Sequence, residues 1–179
     1  MKIYFIRHGE TTFNKAGRIM GQLDEPLDAE GIEQSRRLAA KIDPDFERLF
    51  CSPLQRAKQT AQIINEKLKL PEIEYRQELR ERNFGSLAGK TLEQMDQQTL
   101  GQISIKDQEQ SYDYRPFGGE SVQDVKARLE FFLNFLRRNH SEKKVLAVTH
   151  TGIIRLIYLI ILHQNYPKID NDSVHIFEI

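Results

Sequence analysis

Two apolar runs constrain the fold of this chain most strongly, because each one leads directly into a histidine. Residues 3–6 come shortly before His8, and residues 145–149 end at His150. Short runs that are apolar on both faces are typical of central strands in a parallel sheet that is covered by helices. A third run, residues 46–51, predicts another strand of this kind.

Helices are predicted between these strands. Asp28 is a good N-cap for a helix over residues 29–42. Ser52 as N-cap, with Pro53 at the first helical position, predicts a second helix that Pro71 ends. Each predicted helix has apolar residues at helical spacing, so each is expected to pack one face on the sheet.

The remaining pattern completes an alternation of strands and helices. Ser121 with Asp124 resembles a capping box and predicts the start of a long amphipathic helix. Residues 153–162 predict an apolar helix, and residues 73–75 and 174–179 predict short strands. This alternation predicts an α/β three-layer sandwich with a mostly parallel central sheet flanked by helices.

The chain of 179 residues has the length of a single domain. The segment at about 77–119 is polar and contains five glycines. We interpret residues 1–179 as one domain in which this segment is a small inserted cap, with one or two short helices folded over the sheet.

Composition excludes several functional classes. Lys plus Arg is 26 and Asp plus Glu is 26, and this balance argues against a partner that is nucleic acid or an anionic membrane. The single cysteine, Cys51, cannot form an intrachain disulfide and is expected to be a core residue. No apolar run is long enough for a signal peptide or a membrane span, so a cytoplasmic location is predicted.

The ends of the predicted strands collect two arginines and two histidines. Ligands of open parallel sheets bind outside the carboxyl ends of the strands, where Arg7, His8, Arg56 and His150 are expected. Guanidinium groups match phosphate oxygens, and two nearby cations favour a neutral, nucleophilic imidazole. The sequence therefore predicts a site for a phosphoryl group.

These residues stand within motifs that resemble those of the histidine phosphatase superfamily, which includes cofactor-dependent phosphoglycerate mutases. The matching blocks are Arg7-His8-Gly9-Glu10-Thr11 with Asn14, Ser52-Pro53-Leu54-Gln55-Arg56-Ala57 with Thr60-Ala61, Leu79-Arg80-Glu81-Arg82-Asn83-Phe84-Gly85, Gly119-Glu120-Ser121 and Val148-Thr149-His150. The five blocks follow the family's order and span nearly the whole chain.

The resemblance implies a mechanism. His8 would attack phosphorus and form a phosphohistidine, and Glu81 would protonate the leaving alcohol and then deprotonate the hydrolytic water. No metal or other cofactor would be needed, because protein cations would stabilise the charge. The phosphoryl oxygens would be held by Arg7, Asn14, Arg56, His150 and Thr151, of which Arg7, Arg56 and His150 also count as catalytic.

Other interpretations of these residues remain open at the level of sequence. From spacing alone, Glu81 between Arg80 and Arg82 would be a surface ion-pair partner. Two positions depart from the family pattern. Met20 stands where many of these phosphatases have a polar residue, and Thr151 stands where Gly is common.

A short cap favours water as the phosphoryl acceptor, so the leading hypothesis is a phosphatase acting on a small phosphomonoester. The alternatives are mutase-type phosphoryl transfer, a degenerate member that only binds phosphorylated ligands, and zinc hydrolysis by a His₂Glu site. The sequence leaves the oligomeric state open. Substrate contacts from the cap are expected among Tyr112, Tyr114, Arg115 and Phe117.

Overall fold

A computed structural model of the chain describes residues 1–140 and 143–179. The strands are β1 (Lys2–Arg7), β2 (Arg48–Cys51), β3 (Glu74–Tyr75), β4 (Val145–Thr149) and β5 (Val174–Glu178). The α-helices are α1 (Thr12–Lys15), α2 (Ala29–Lys41), α3 (Gln55–Leu68), α4 (Gln97–Gln108), α5 (Val122–Asn139) and α6 (Thr151–Ile157). Short 3₁₀ turns occupy Gln77–Leu79, Gly85–Leu87, Leu92–Gln94 and Arg115–Phe117.

The five strands form one sheet in the order β3-β2-β4-β1-β5. Strand β1 runs parallel to β4, with Ile3 opposite Val145 and Arg7 opposite Thr149. Strand β5 pairs with β1 in the antiparallel direction, and the other pairings are parallel. This topology confirms the predicted α/β fold with a mostly parallel sheet. Because β1 and β4 end at the same level, the residues that follow them meet.

Each face of the sheet is covered by its own hydrophobic core. On one face, Phe5 and Phe50 pack with residues of α5 and α6. On the other face, Ile6 and Leu49 pack with residues of α2 and α3. The predicted three layers are therefore present. Ser121 and Asp124 form the predicted capping box at the start of α5.

Two helix boundaries differ from the prediction. Helix α3 begins at Gln55 with Leu54 as its N-cap, and neither Ser52 nor Pro53 is part of the helix. The prediction at Ser52 was wrong because the first helical hydrogen bonds, from the Ala57 and Lys58 amides, go to the carbonyl oxygen of Leu54. The Ser52 hydroxyl lies 2.7 Å from His150 Nε2, a contact that local sequence cannot reveal. The apolar stretch after His150 begins as α6 and continues as a π-helical turn over Tyr158–Leu162.

The segment between β3 and α5 contains the 3₁₀ turns and α4. Tyr112 and Tyr114 are each 1% exposed, their rings stack at 5.2 Å, and the Arg82 guanidinium lies 4.6 Å from the Tyr112 ring centre. Arg115 pairs with Asp113. The expectation that these tyrosines contact substrate was wrong, because they pack inside the segment.

The predicted core position of Cys51 is confirmed: it is fully buried, and burial raises the pKa of its thiol far above the usual range. None of the helices in the described residues is long and apolar enough to cross a membrane.

Candidate active site

His8 follows β1 and is only 2% exposed. Its Nδ1 lies 2.7 Å from the carbonyl oxygen of Gly9, which can only accept, so Nδ1 carries the proton and donates. The other nitrogen, Nε2, then has a lone pair, and it accepts a hydrogen bond from Arg56 Nε at 3.1 Å. The imidazole is therefore held with a nucleophilic Nε2.

The environment keeps both buried histidines neutral. Burial, followed by the charges of Arg56 and Arg7, lowers the pKa of His8 well below its usual value. Burial is also the largest cause that lowers the pKa of His150, followed by Arg56 and His8. The sequence suggested the effect of the cations, and the structure adds the larger effect of desolvation.

The two arginines are fixed by backbone carbonyl groups. Arg56, in the first turn of α3, is 1% exposed and donates to the carbonyl oxygens of Gly21 at 2.7 Å and Leu23 at 2.8 Å. Burial lowers its pKa to about 10, so the group remains cationic at neutral pH. Arg7, the last residue of β1, donates through Nη1 to the carbonyl oxygen of Ile169 at 2.7 Å.

The loop after His8 rests directly on the backbone of α2. A Cβ atom added at Gly9 would lie 2.5 Å from the Gly31 carbonyl oxygen, and one added at Gly31 would lie 2.1 Å from that of Glu10. The Gly9 amide also donates to Thr60 Oγ1 at 3.1 Å. Both glycines are required by this close approach, which fixes the loop that contains His8.

The amide of Asn14 has a defined orientation. Its Oδ1 accepts hydrogen bonds from the Thr11 amide and hydroxyl, each at 3.2 Å, and from Asn171 Nδ2 at 3.4 Å. Asn171 Nδ2 also donates to the carbonyl oxygen of His8 at 3.2 Å. With three donors on Oδ1, the NH₂ group of Asn14 is left as the polar group for a ligand in the cavity that Asn14 lines.

Glu81 lies against the first turn of α6. Its Oε2 accepts from the Gly152 amide at 3.0 Å and its Oε1 from the Arg82 amide at 2.9 Å. A Cβ atom at position 152 would come within 2.4 Å of Oε1, so Gly152 leaves room for the carboxylate. Arg128 of α5 holds the preceding backbone through the carbonyl oxygens of Arg80 at 2.7 Å and Glu81 at 3.2 Å.

A cavity of about 160 Å³ brings most of the predicted residues together. It is lined by Arg7, His8, Asn14, Arg56, Glu81 and Thr151, and also by Arg18, Ile19, Met20, Gly21 and Phe84. His150 is not in the lining: it is fully buried beside the cavity, with its ring centre 5.1 Å from that of His8.

Sequence reasoning missed the residues that support this site. Ser52 was interpreted as a helix cap, Arg128 belongs to the polar face of a helix, and Asn171 lies in a loop outside every motif. Their contacts join segments far apart in the chain, so no local signal could have found them. Arg18 and Phe84 were not singled out as lining residues for the same reason.

The geometry disfavours a metal between the histidines and Glu81. Among the side chains that the structure describes, no group of three His, Cys, Asp or Glu is arranged to bind a metal ion. The lone pair of His8 Nε2 instead faces Arg56 Nε at 3.1 Å, and a guanidinium in this place would repel a cation.

Comparison with known proteins identifies a family that matches nearly the whole chain. A model of the histidine phosphatase superfamily (branch 1) matches residues 3–179. The metal-independent phosphoserine phosphatase of Arabidopsis thaliana is 34% identical over 179 residues, which cover 98% of this chain and 75% of that protein.

A 2,3-bisphosphoglycerate-dependent phosphoglycerate mutase of Rhizobium etli is 35% identical over 164 residues, 86% of this chain and 76% of that enzyme. Among solved structures, a mycobacterial glucosyl-3-phosphoglycerate phosphatase in complex with VO3 matches with a TM-score of 0.87 and 26% identity. The match covers 98% of this chain and 91% of that chain. The chain is thus similar both to phosphatases and to a mutase.

Proposed function

The chain belongs to branch 1 of the histidine phosphatase superfamily and is a phosphatase, and on this premise we propose that it hydrolyses a small phosphomonoester without a metal, through a phosphohistidine at His8. The observation that carries the proposal is the neutral His8, whose Nε2 lone pair lies in the same cavity as Arg56 and Glu81. Residues 1–179 act in this proposal as one domain, with residues 77–119 as its cap.

In the first step, the Nε–H of Arg56 turns from His8 Nε2 to a phosphoryl oxygen, and the freed Nε2 lone pair attacks phosphorus in line with the ester oxygen. The N–P bond forms while the P–O ester bond breaks, and the bonding electrons leave with the oxygen. Glu81, entering as the carboxylic acid, donates its proton to that oxygen, so the product leaves as a neutral alcohol.

In the second step, water replaces the alcohol. Glu81, now a carboxylate, takes a proton from the water while the water oxygen bonds to phosphorus. The N–P bond breaks and its electrons return to His8, which restores the neutral imidazole. Inorganic phosphate leaves, and Glu81 again holds its proton.

The charge of the transferring group is balanced by fixed donors. Arg7 and Arg56 supply two guanidinium groups that backbone carbonyls already orient, so apart from the Arg56 Nε–H, which changes partner, these donors are in place before substrate binds. The NH₂ group of Asn14 and the hydroxyl of Thr151 supply neutral donors in the cavity wall. His150, which is buried beside the cavity, donates a hydrogen bond to the phosphoryl group.

Two observations support a small substrate. The cavity measures about 160 Å³, and three of its five additional lining residues are apolar side chains, namely Ile19, Met20 and Phe84. The similar Arabidopsis protein is a phosphoserine phosphatase. We therefore place compact phosphomonoesters, phosphoserine among them, first in a substrate screen.

The test is hydrolysis of p-nitrophenyl phosphate with and without EDTA. We expect the wild-type activity to resist EDTA and His8→Ala to lose at least ~10³-fold in kcat, because the nucleophile is gone. His163→Ala is the matched control, since this exposed histidine lies outside the cavity. Activity that EDTA removes, or that survives in His8→Ala, would overturn the mechanism.

Phosphoryl transfer to a second phosphoglycerate is the other candidate, because a Rhizobium etli mutase is 35% identical. The discriminating measurement supplies 2,3-bisphosphoglycerate and a monophosphoglycerate. Isomerisation of the monophosphoglycerate faster than release of inorganic phosphate would favour the mutase.

A further inference from the structure

His150 has one ring nitrogen bonded and the other without a partner. Its Nε2 lies 2.7 Å from Ser52 Oγ, and both residues are fully buried. Its Nδ1 is also buried and has no hydrogen-bond partner within residues 1–140 and 143–179. A buried polar atom left without a partner beside a cavity is costly, so it points to a group that enters from the cavity.

The contacts of Ser52 leave its hydroxyl proton free to bond His150. The backbone amide of Ser52 donates to the Val148 carbonyl oxygen at 2.9 Å, which fixes the residue beside the end of β4. Its Oγ accepts the amide of Leu54 at 3.4 Å. One lone pair of the hydroxyl is therefore used, and its proton remains available for His150.

The chemistry of the ligand then selects the tautomer. A neutral imidazole has one N–H group, and the oxygens of a phosphoryl dianion can only accept. If Nε2 carried the proton, the lone pair of Nδ1 would face those oxygens and repel them. If Nδ1 carries it, His150 donates to the phosphoryl group and Nε2 accepts from Ser52.

We propose that Ser52 is a positioning residue that holds His150 as the Nδ1–H tautomer, so that this N–H binds a phosphoryl oxygen. This inference rests on the proposed function, since it assigns the donor that the phosphoryl group meets.

The first test reads the tautomer directly and needs no turnover. In protein labelled with ¹⁵N-histidine and saturated with orthovanadate, His150 is assigned by comparison with His150→Gln. We expect a protonated Nδ1 and an unprotonated Nε2 in the wild type, and loss of this pattern in Ser52→Ala. A protonated Nε2 in the wild type would overturn the proposal.

The second test measures kcat and KM with p-nitrophenyl phosphate. Loss of one oriented donor to the transferring group is expected to lower kcat about 100-fold in Ser52→Ala. Ser52→Thr, which keeps a hydroxyl, is expected to recover most of this loss, and Ser52→Cys, a weaker donor, is expected to fall between the two.

Ser121→Ala is the matched control, because it removes a hydroxyl that caps α5 and should lower stability without lowering kcat. If Ser52→Ala retains the wild-type kcat and tautomer while His8→Ala is inactive, the proposed function stands and the role of Ser52 does not. If the wild type is inactive, the function fails and the spectrum still decides the tautomer.

Discussion

The floor and the wall of the active-site cavity are built in different ways. The floor consists of His8 and Arg56, and His150 is buried directly beside it. All three residues are at most 2% exposed, and they follow three adjacent parallel strands. The wall consists of the loop at 18–21 and the segment at 81–84, which precedes the 3₁₀ turn Gly85–Leu87, and its residues are mostly more exposed. In the proposed mechanism, most of the chemistry is therefore carried by groups that follow the strands, and the fit to substrate depends on segments outside the sheet.

Glu81 breaks this division, since it lies in the wall but takes part in the chemistry of the proposed mechanism. We expect Glu81→Gln to lower kcat for an alkyl phosphomonoester about 10³-fold, because the proton donor is lost. The loss should be smaller for p-nitrophenyl phosphate, whose leaving group needs less protonation. Steady-state kinetics with both substrates checks this; equal losses would contradict the role of Glu81 as the acid.

Asp172 belongs to a chain of polar contacts that supports the loop containing His8. Its carboxylate accepts from Ser35 Oγ at 3.3 Å, and Ser35 contacts Thr60, which accepts the Gly9 amide. Burial raises the pKa of Asp172 to about 7. In the unfolded chain the carboxyl has its usual pKa, so the folded state binds more protons between the two values and stability falls as pH rises towards 7.

We therefore expect Asp172→Asn to stabilise the protein at pH 8, by ~2 kcal/mol or roughly 4–8 °C in Tm. The gain should shrink towards pH 5, where the wild-type carboxyl is protonated. Thermal unfolding at both pH values measures this. Asp170→Asn, an exposed position in the same loop, is the control, and an equal gain at both pH values would count against the titration of Asp172.

The pH profile tests the floor itself. A nucleophilic histidine with an ordinary pKa of about 6.5 would lose about tenfold in kcat/KM by pH 5.5. Because burial holds the pKa of His8 well below that value, the neutral imidazole persists, and we expect kcat/KM to fall less than twofold by pH 5.5. A midpoint near 6.5 in the rate of phosphoenzyme formation would show that the floor does not desolvate His8.

The smallest change in kinetics is expected for substitution of Met20, which belongs to the wall. Met20→Ala removes apolar contact from the cavity, and we expect KM to rise about threefold while kcat stays within about twofold. Met95→Ala is the control, because this buried methionine is outside the cavity lining. A large drop in kcat with unchanged KM would mean that the wall shapes the chemistry as well.

The difference between the floor and the wall of the cavity also explains which residues could be predicted from the sequence. The apolar runs at 3–6, 46–51 and 145–149, together with the rule for parallel sheets, were enough to expect Arg7, His8, Arg56 and His150 at one edge. The structure places the first three in the cavity lining and His150 beside it. Glu81 was different: its spacing suggested a surface ion pair, and only the family resemblance singled it out.

The contacts that failed to be predicted are those between distant segments. Ser52 has the ideal local context for a helix cap, yet it bonds a histidine 98 residues away. Tyr112 and Tyr114 lie in a polar segment that suggested a substrate surface, yet they are buried around Arg82. Local periodicity reports which side of an element is apolar, and it does not report which element covers it.

The contact between Gly9 and Gly31 has a consequence for the energetics of turnover. With no side chain between the loop and α2, the place of His8 depends on backbone contacts that have no rotamers to order. The entropy of positioning His8, the nucleophile of the proposed mechanism, is therefore lost once, when the chain folds, rather than in each catalytic cycle. We accordingly expect the activation barrier for phosphoryl transfer to be mainly enthalpic.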